Sequence, residues 1–490
     1  ELGGNAEVLS GDDTSLPWVN NIRGFSRNSR RTMSMKWDID FSHATLVSTT
    51  SHAKLKDDYG SDSYPYFYDP GQFYVLFPGD TPIGLGAQTQ ELRRDAEILT
   101  QELRLQSQEG AALRWMIGAY YAEFDIDNVS TTGTDTHNVL LGLGPHPYGS
   151  QNQTLSYLND TNDNEAVAAF ANLGYELGPL EVMASVRWDK EKKRQTDRAF
   201  PGAPDPADPK QIPTWRIEAW RSRSTEFSQV QPKLSVRYRI TPDVTAYTSW
   251  GRGFKTGGFN PFGTAELLRQ FNPASTVEDI FPKEVADTWE VGLKTKWLGR
   301  RLSVNVAYFD TKSEHAQALE FFPQAGLQAI STADEVDMKG VEIDVQARPF
   351  PGLDLMASYG YLDTEITRFD SNPAYVGNRR PSNSPYTWLI GAQYTTALGG
   401  AGWELVTRAD YTREGTTTWD WAETPGAARS PYEVVNARIA LKNDAWEIAA
   451  WSKNLTDEKY NAEHIVLLPY AGALFRAAPR QYGLDVSYRF

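Results

Sequence analysis

Residues 341–348 read Val-Glu-Ile-Asp-Val-Gln-Ala-Arg, and residues 302–309 read Leu-Ser-Val-Asn-Val-Ala-Tyr-Phe. Because successive side chains of a β-strand point to opposite faces, this alternation predicts strands with one apolar and one polar face. The same pattern recurs at 113–121, 180–188 and 482–490, and no long segment shows the 3.6-residue period of an amphipathic helix. The sequence therefore predicts an all-β protein.

The connections between the predicted strands alternate strictly between short and long. Short turns are predicted at 40–44, 109–110, 177–179, 241–243, 298–300, 349–352, 398–402 and 442–444. Long polar loops are predicted at 57–88, 128–164, 193–223, 256–284, 318–332, 369–384, 415–430 and 456–480. In an antiparallel meander this places every short turn at one end of the strands. That segregation is typical of outer-membrane β-barrels, and a soluble sandwich or propeller gives no reason for it.

Length and hydropathy are consistent with such a barrel. A chain of 490 residues would ordinarily suggest about three domains, but one large barrel also uses this length. The mean hydropathy is −0.51 and no run of about 18 apolar residues occurs, which excludes a helical membrane protein. Strands that alternate apolar and polar residues average to a hydrophilic score. We predict about 17 strands, many of them longer than the roughly 9–11 residues that a crossing needs.

Charge and residue usage exclude several classes of function. The net charge is −15, so nucleic acid is not an expected partner, because phosphate binding needs basic patches. The chain contains no cysteine, which excludes disulfides, thiolate metal sites and cysteine nucleophiles. Aromatic residues make up 12%, which fits large β cores, interfacial girdles or a sugar-binding surface.

Short motifs follow one another from about residue 89 to the C-terminus. They are Gln101-Glu102-Leu103-Arg104-Leu105, Pro232-Lys233-Leu234-Ser235, Gly253-Phe254-Lys255-Thr256-Gly257-Gly258-Phe259-Asn260, Glu290-Val291-Gly292-Leu293-Lys294, Lys339-Gly340-Val341-Glu342, Asn454-Leu455-Thr456-Asp457-Glu458-Lys459-Tyr460 and Pro479-Arg480-Gln481-Tyr482-Gly483. In this order they resemble the C-terminal barrel of the TonB-dependent outer-membrane receptors.

The resemblance implies a 22-stranded barrel that follows an N-terminal plug and a TonB-contact segment. Neither N-terminal element is recognised, and the chain starts at Glu1. We therefore expect a truncated or incompletely represented chain, with a loop remnant or uncertain strand at 1–30 and the transmembrane barrel at 31–490.

The function implied by the resemblance is active uptake through the bacterial outer membrane. The expected ligand is a ferric siderophore or a similar bulky nutrient, and the expected partners are the TonB complex, outer-membrane lipid and lipopolysaccharide. A carbohydrate or aromatic ligand is an alternative. A passive porin and a soluble all-β carbohydrate-binding protein are others. No enzymatic activity and no cofactor are predicted.

Aromatic residues in the long loops are the candidate ligand contacts, because their rings stack on sugars or aromatic groups. They could equally pack the loops against each other. The candidates are Tyr64, Tyr66, Phe67, Tyr68, Phe73 and Tyr74, then Phe254, Lys255 and Phe259 at a strand exit, and Trp419 and Trp421. In the last strand, Tyr482, Leu484, Val486, Tyr488 and Phe490 resemble the signal that the barrel-assembly machinery reads.

Histidines and carboxylates give weaker signals. None of the six histidines forms a paired metal-ligand motif. His137, His146 and His464 lie in predicted loops, where solvation is the better interpretation than contact with a metal-bearing ligand. Alternating carboxylates such as Glu342 and Asp344 are expected to line the polar face of the barrel.

Overall fold

The computed structural model describes residues 10–15, 24–62, 74–75, 83–84, 88–108, 110–134, 154–199, 221–322, 327–400, 402–468 and 471–490. The strands, in chain order, are β1 (Phe25–Asp40), β2 (Ala44–Asp62), β3 (Tyr74–Val75), β4 (Ile83–Gly84), β5 (Gln88–Ser107), β6 (Leu113–Thr134), β7 (Thr154–Leu177), β8 (Leu180–Ala199), β9 (Arg221–Thr241), β10 (Val244–Lys255), β11 (Gly258–Phe259), β12 (Ile280–Phe281), β13 (Glu284–Trp297), β14 (Leu302–Phe322), β15 (Leu327–Ala347), β16 (Leu353–Arg368), β17 (Tyr386–Leu398), β18 (Trp403–Glu414), β19 (Tyr432–Lys442), β20 (Trp446–Lys453), β21 (Asn461–Leu468), β22 (Ala471–Arg476) and β23 (Gln481–Tyr488). One α-helix, α1 (Thr264–Phe271), and one 3-10 helix (Pro373–Tyr375) lie in connections between strands.

Within these residues, seventeen strands belong to one sheet, which confirms the predicted all-β fold and strand number. The antiparallel pairings run from β1 through β2 and β5 to β6, and from β9 through β10 and β13 onward to β20 and β23. The longer connections contain three separate antiparallel strand pairs, β3–β4, β11–β12 and β21–β22, whose strands are two to eight residues long.

All eight predicted short turns join consecutive strands: β1 to β2, β5 to β6, β7 to β8, β9 to β10, β13 to β14, β15 to β16, β17 to β18 and β19 to β20. Local chemistry explains the turns. Gly178 has φ 59° in the two-residue turn before β8. Gly352 has φ 89°, and a Cβ there would lie 2.4 Å from the carbonyl oxygen of Thr395. A side chain at either position would be strained.

The strands extend further into the predicted loops than expected. The loop predicted at 318–332 is wrong in extent, because β14 continues to Phe322 and β15 begins at Leu327, and these two residues pair. At these ends the strands pack against the long connections, with Ala316 and Ala329 buried and Leu319 exposed, so the apolar alternation stops while the backbone pairing goes on. The sequence pattern therefore marks only part of each strand.

One face of the sheet is apolar and exposed. On β13 the side chain of Trp289 is 60% exposed, and Val291 and Leu293 are exposed beside it at the same two-residue spacing. The same alternation appears on other strands at Met33, Met35, Trp37, Ile39, Leu234, Tyr238, Ile240, Tyr482, Leu484, Val486 and Tyr488. A soluble sandwich would bury such a face, whereas a membrane barrel turns it toward lipid.

The opposite face carries polar and charged side chains that pair across strands. Between β18 and β19, Lys442 Nζ lies 3.3 Å from a carboxylate oxygen of Glu404, and between β15 and β16 the Ser358 hydroxyl donates a hydrogen bond of 2.7 Å to Asp344. Arg104 lies 3.5 Å from Glu102 on the same strand. These contacts agree with the expectation that carboxylates line the polar face, and exposed pairs of this kind contribute little stability each.

The first strand begins at Phe25, six residues before the predicted boundary at 31. Helix α1 is a further difference, since no helix is predicted at 256–284. By contacts the chain divides into two units, one comprising Glu1–Thr14, Gly174–Ala184 and Gln231–Phe490, the other Ser15–Leu173 and Ser185–Val230. Among the described residues, no helix has both the length and the apolar character that crossing a membrane requires.

Candidate functional site

A cavity of about 740 Å³ lies within the larger unit, among the long connections and away from the short turns. Its walls come from α1 and the residues after it, the facing ends of β14 and β15, the connections 369–385 and 415–431, and β21. We call it the loop cavity. Its size falls in the range of small-molecule sites, roughly 300–1,000 Å³.

An apolar cluster supports the loop cavity. It consists of Ala316, Ala333, Val336, Ile366, Phe369 and Trp421. The side chain of Trp421 is 1% exposed, and its ring meets that of Phe369 edge-on with 5.7 Å between centroids. The indole N–H donates a hydrogen bond of 2.9 Å to the Ser331 hydroxyl, as a buried indole requires. The connection 415–431 is thereby fixed against β15.

Helix α1 forms because an acidic residue from later in the chain caps it. Asp279 accepts hydrogen bonds from the backbone N–H groups of Gly263 and Ala265, at 2.8 and 2.9 Å. A carboxylate at a helix N-terminus satisfies unpaired donors and interacts favourably with the helix dipole. The helix buries Leu268 against Val277 and Ala329. Its last residue, Phe271, lies on the wall of the loop cavity.

Asn260 fastens this connection to β15. Its side-chain oxygen accepts from the N–H of Ile330 at 2.7 Å, and its amide donates to the carbonyl oxygens of Ile330 and Glu278 at 3.0 and 2.8 Å. The side chain thus makes the pair of bonds that a neighbouring strand would make. This gives the end of the Gly253–Asn260 motif a structural role.

A buried arginine holds the neighbouring connection together. Arg429 is 3% exposed, and it donates to Glu414 Oε1 at 2.6 Å and to the carbonyl oxygen of Asn461 at 3.1 Å. Its guanidinium carbon lies 4.5 Å from the ring centroid of Tyr432 and 5.4 Å from that of Trp419. The planar fork of arginine suits this combination of bonds and stacking.

A segment near the start of the chain packs onto the same connections. Asp12 accepts hydrogen bonds from the backbone N–H and the hydroxyl of Ser430, at 2.6 and 2.5 Å. The amide of Asn461 donates to the carbonyl oxygens of Gly11 and Asp13, each at 2.9 Å. Residues from the two ends of the chain are therefore joined beside the loop cavity.

Three titratable groups of the loop cavity have shifted pKa values. Glu320 lies near the far end of β14, beyond the roughly 9–11 residues that a strand needs to cross a bilayer. Burial and the nearby Asp420 raise its pKa to about 7, against a hydrogen bond from Ser331. Burial also raises the pKa of Tyr375. Burial lowers the pKa of His464, whose side chain is 3% exposed.

Arg380 also lines the loop cavity, but its charge is matched from outside it. One guanidinium nitrogen lies 3.4 Å from Glu284 Oε1, and the other lies 3.4 Å from the carbonyl oxygen of Gln317. Glu284 in turn accepts from the Ser313 hydroxyl at 2.8 Å and the Gln317 N–H at 3.0 Å. This network fixes the connection 369–385 to β13 and β14.

The predicted ligand contacts fall into three groups. Trp419 and Trp421 both line the loop cavity, although Trp421 is almost wholly buried. Phe254 and Lys255 lie at the end of β10 and Phe259 in β11, and none of them is a lining residue. Ligand contact by any of them stays a prediction.

The remaining candidates lie outside the residues that the structure describes. These are Tyr64, Tyr66, Phe67, Tyr68 and Phe73, and only the backbone of Tyr74 is described, as part of β3. His137 and His146 also lie outside them. On β23 the predicted assembly residues Tyr482, Leu484, Val486 and Tyr488 are exposed, Tyr482 at 83%, and so is Phe490, two residues after the strand ends. Their reading by an assembly machinery stays a prediction.

Sequence reasoning missed three polar residues of the loop cavity, Glu320, Arg380 and Asp420. Asp420 stands between Trp419 and Trp421, so the aromatic pair could have drawn attention to it. Glu320 and Arg380 carry no local signal. The sequence predicts His464 only as a loop histidine, and the structure places it on the wall of the cavity. In the described part of the chain, no three carboxylates or histidines are grouped so that they could hold a metal ion.

Comparison with known proteins identifies relatives and solved structures that share this architecture. The chain is 22% identical over 396 residues to PiuA of Acinetobacter baumannii, a probable TonB-dependent siderophore receptor. The alignment covers 75% of this chain and 47% of that protein. The crystal structure of the ferric yersiniabactin uptake receptor FyuA from Yersinia pestis superposes with a TM-score of 0.72 at 16% identity, covering 95% of this chain and 62% of that one. The crystal structure of PiuA gives 0.71 at 17% identity, covering 95% and 65%.

The chain thus spans less than two thirds of each of these proteins, and at such identities the structural likeness establishes the fold. The sequence profile described as TonB dependent receptor-like, beta-barrel, matches residues 3–455. That match covers most of the 490 residues, so this chain belongs to the family of TonB-dependent receptor-like β-barrels.

Proposed function

We propose that this chain supplies the membrane barrel and the ligand-binding loops of a TonB-dependent receptor that takes up a ferric siderophore or a similar bulky nutrient. The observation that carries the proposal is the loop cavity. It combines a ligand-sized volume of about 740 Å³ with aromatic and polar walls, and it lies on the long connections of a receptor-family barrel.

The named relatives support an iron-chelate ligand. PiuA is a probable siderophore receptor, FyuA is a ferric yersiniabactin uptake receptor, and a further structural neighbour, Fiu of Escherichia coli, is a ferric-catecholate import receptor. TonB-dependent receptor barrels are outer-membrane proteins of Gram-negative bacteria. We place this chain there, with its exposed apolar face against lipid and lipopolysaccharide and with no nucleic-acid partner.

In the proposed mechanism the loop cavity captures the ligand first. The apolar cluster around Trp421 and the Arg429 network hold the walls in place, so that binding does not have to order the loops. Passage across the membrane then depends on energy delivered by the TonB complex, through a plug and TonB-contact segment that the family resemblance implies.

Uptake of radiolabelled iron tests the proposal. A strain that lacks the gene is compared with a complemented strain, each supplied with ferric siderophores of different types as the only iron source. We expect uptake only in the complemented strain and only while TonB is present. Uptake that persists without TonB would indicate a passive porin and would overturn active transport. Dependence of growth on a sugar with no iron response would replace the siderophore by a carbohydrate ligand.

A further inference from the structure

The charges that line the loop cavity do not balance. Its titratable residues are Glu320, Tyr375, Arg380, Asp420, Glu463 and His464. Arg380 is the one lysine or arginine among the described lining residues, and Glu284 already faces its guanidinium at 3.4 Å. Three carboxylates therefore stand in the wall with no free cation beside them.

Two of these carboxylates, Glu320 and Asp420, lie in the same part of the wall as Tyr375. Asp420 raises the pKa of Glu320, and both raise the pKa of Tyr375, so the three side chains lie within electrostatic range. Both carboxylate oxygens of Asp420 accept hydrogen bonds within its own turn, one from the Thr424 N–H at 3.0 Å and the other from the Thr424 hydroxyl, and neither partner carries a positive charge. Within the described residues, no ion pair joins Glu320, Asp420 or Glu463 to a basic side chain. Like charges at short range disfavour ionisation, and a bound cation would relieve this.

His464, another residue that lines the loop cavity, has an unused hydrogen-bond acceptor. Its Nδ1 lies 3.0 Å from the carbonyl oxygen of Ala427. A carbonyl only accepts, so Nδ1 carries the hydrogen, and Nε2 of the neutral ring is an acceptor. Nε2 is buried and has no partner in the described part of the chain. The lowered pKa keeps the ring neutral, so it adds no positive charge to offset the carboxylates.

We infer that the loop cavity takes a ligand that brings a positively charged N–H donor, an ammonium group, to Glu320, Asp420 and His464. This inference rests on the proposed function and specifies the charge of its ligand. The carboxylates supply the attraction, His464 accepts a hydrogen bond, and the rings of Tyr375 and Trp419 cover the apolar part of the ligand.

A polyanionic chelate fits this wall poorly. It would have to approach three carboxylates in a partly desolvated cavity, and the guanidinium of Arg380 is already shared with Glu284 and the carbonyl oxygen of Gln317. Receptors for anions use arginine or lysine side chains that are open to the ligand. The cavity is therefore expected to bind cationic ligands more tightly than anionic ones.

The test uses three ferric complexes and the receptor purified in detergent at the length that cells make. The complexes are ferrioxamine B, which carries one free ammonium group, its N-acetylated form, which lacks that charge, and an anionic ferric tris-catecholate. Equilibrium binding is expected to be about tenfold or more tighter for ferrioxamine B than for the acetylated form, and weakest for the tris-catecholate.

Substitutions and pH sharpen the test. Glu320→Gln and Asp420→Asn are each expected to remove most of that preference, whereas Glu266→Gln, the same change on the exposed face of α1, is expected to leave it unchanged. A cation prefers ionised Glu320, so affinity for ferrioxamine B is expected to rise from about pH 6 to pH 8, and affinity for the acetylated form to stay level. The pH and acetylation measurements use the unaltered protein, so they stand even if a variant fails to fold.

Opposite results would overturn the inference. Equal affinity for ferrioxamine B and its acetylated form, tightest binding of the tris-catecholate, or tighter binding after Glu320→Gln would each exclude an ammonium-bearing ligand while leaving a siderophore receptor in place. Binding of none of the three complexes would also overturn this inference, whereas the proposed function fails only if iron uptake does not depend on the gene and on TonB.

Discussion

The indole N–H of Trp421 donates a hydrogen bond of 2.9 Å to the hydroxyl oxygen of Ser331, which lies 90 residues earlier in the chain. The bond joins the connection 415–431 to β15 beneath the loop cavity. We expect Ser331→Ala to destabilise the protein by about 1–3 kcal/mol, because it leaves a buried N–H without a partner. Thermal unfolding in detergent measures the effect. Trp446→Phe, on the exposed face of the sheet, is the control and is expected to change the midpoint little.

Replacement of Arg429 by lysine keeps the charge but loses the planar fork that reaches Glu414 and Asn461 and stacks on Tyr432. We expect Arg429→Lys to lower the free energy of unfolding by about 1–3 kcal/mol, and Arg429→Ala by about 3 kcal/mol or more, since the alanine leaves Glu414 without its cation. Hydrogen exchange over residues 415–431 checks this. Equal protection in the lysine variant and the parent would show that the charge alone is sufficient.

Release of the segment around Asp12 is expected to expose it to protease without unfolding the sheet. Asp12→Ala removes both bonds to Ser430, and Asn461→Ala removes both bonds to Gly11 and Asp13. Limited proteolysis followed by mass spectrometry measures cleavage near Asp12. The exposed Lys459→Ala serves as the matched surface control. Unchanged cleavage in both variants would contradict the role given to these bonds.

The raised pKa of Glu320 predicts a component of stability that depends on pH. The pKa is about 7 in the folded protein and 4.5 ordinarily, so the folded state favours the protonated form. This contribution is complete below about pH 4.5 and is lost as pH rises through 7, with an upper bound on the order of 3 kcal/mol. Unfolding midpoints of the parent and of Glu320→Gln, taken at several pH values, isolate it. If the unfolding midpoints of the two proteins changed with pH in parallel, the prediction would be contradicted.

The two faces of β14 provide a matched test of membrane insertion. Val306 is exposed on the apolar face, and Asn305 lies next to it on the polar face. Val306→Arg places a charge against lipid, at a cost of about 2–4 kcal/mol near the middle of a bilayer, whereas Asn305→Arg does not. We expect a reduced heat-modifiable band in outer-membrane fractions for Val306→Arg only. Equal amounts of the two variants would argue against a lipid-facing surface.

Strands and turns were predictable because their causes are local. Alternation over residues such as 341–348 identifies a strand with two unlike faces, and turn residues such as Gly178 end it. The far ends of β14 and β15 escaped prediction because they pack against the long connections and α1, as Ala316 and Ala329 do, and the pairing of Phe322 with Leu327 is non-local. Helix α1 escaped because its cap, Asp279, follows the helix by several residues.

The loop cavity could be predicted only in part. The sequence placed Trp419 and Trp421 on a long loop, and the structure brings both to the cavity. Glu320 and Asp420 lie 100 residues apart; Asp420 stands between the predicted contacts Trp419 and Trp421, but no neighbour in sequence marks Glu320 as functional. Their pairing follows from strand order and loop packing, which no periodicity encodes.

The bond from the Asn461 amide to the Gly11 carbonyl oxygen spans 450 residues of chain. A contact between such distant residues carries a large loop-closure entropy unless the intervening strands are already in place. Protection of the backbone amides near Gly11 from hydrogen exchange therefore indicates that assembly is complete. In a pulse-labelling experiment it would separate fully matured molecules from those whose strands have paired but whose loops have not yet closed over one another.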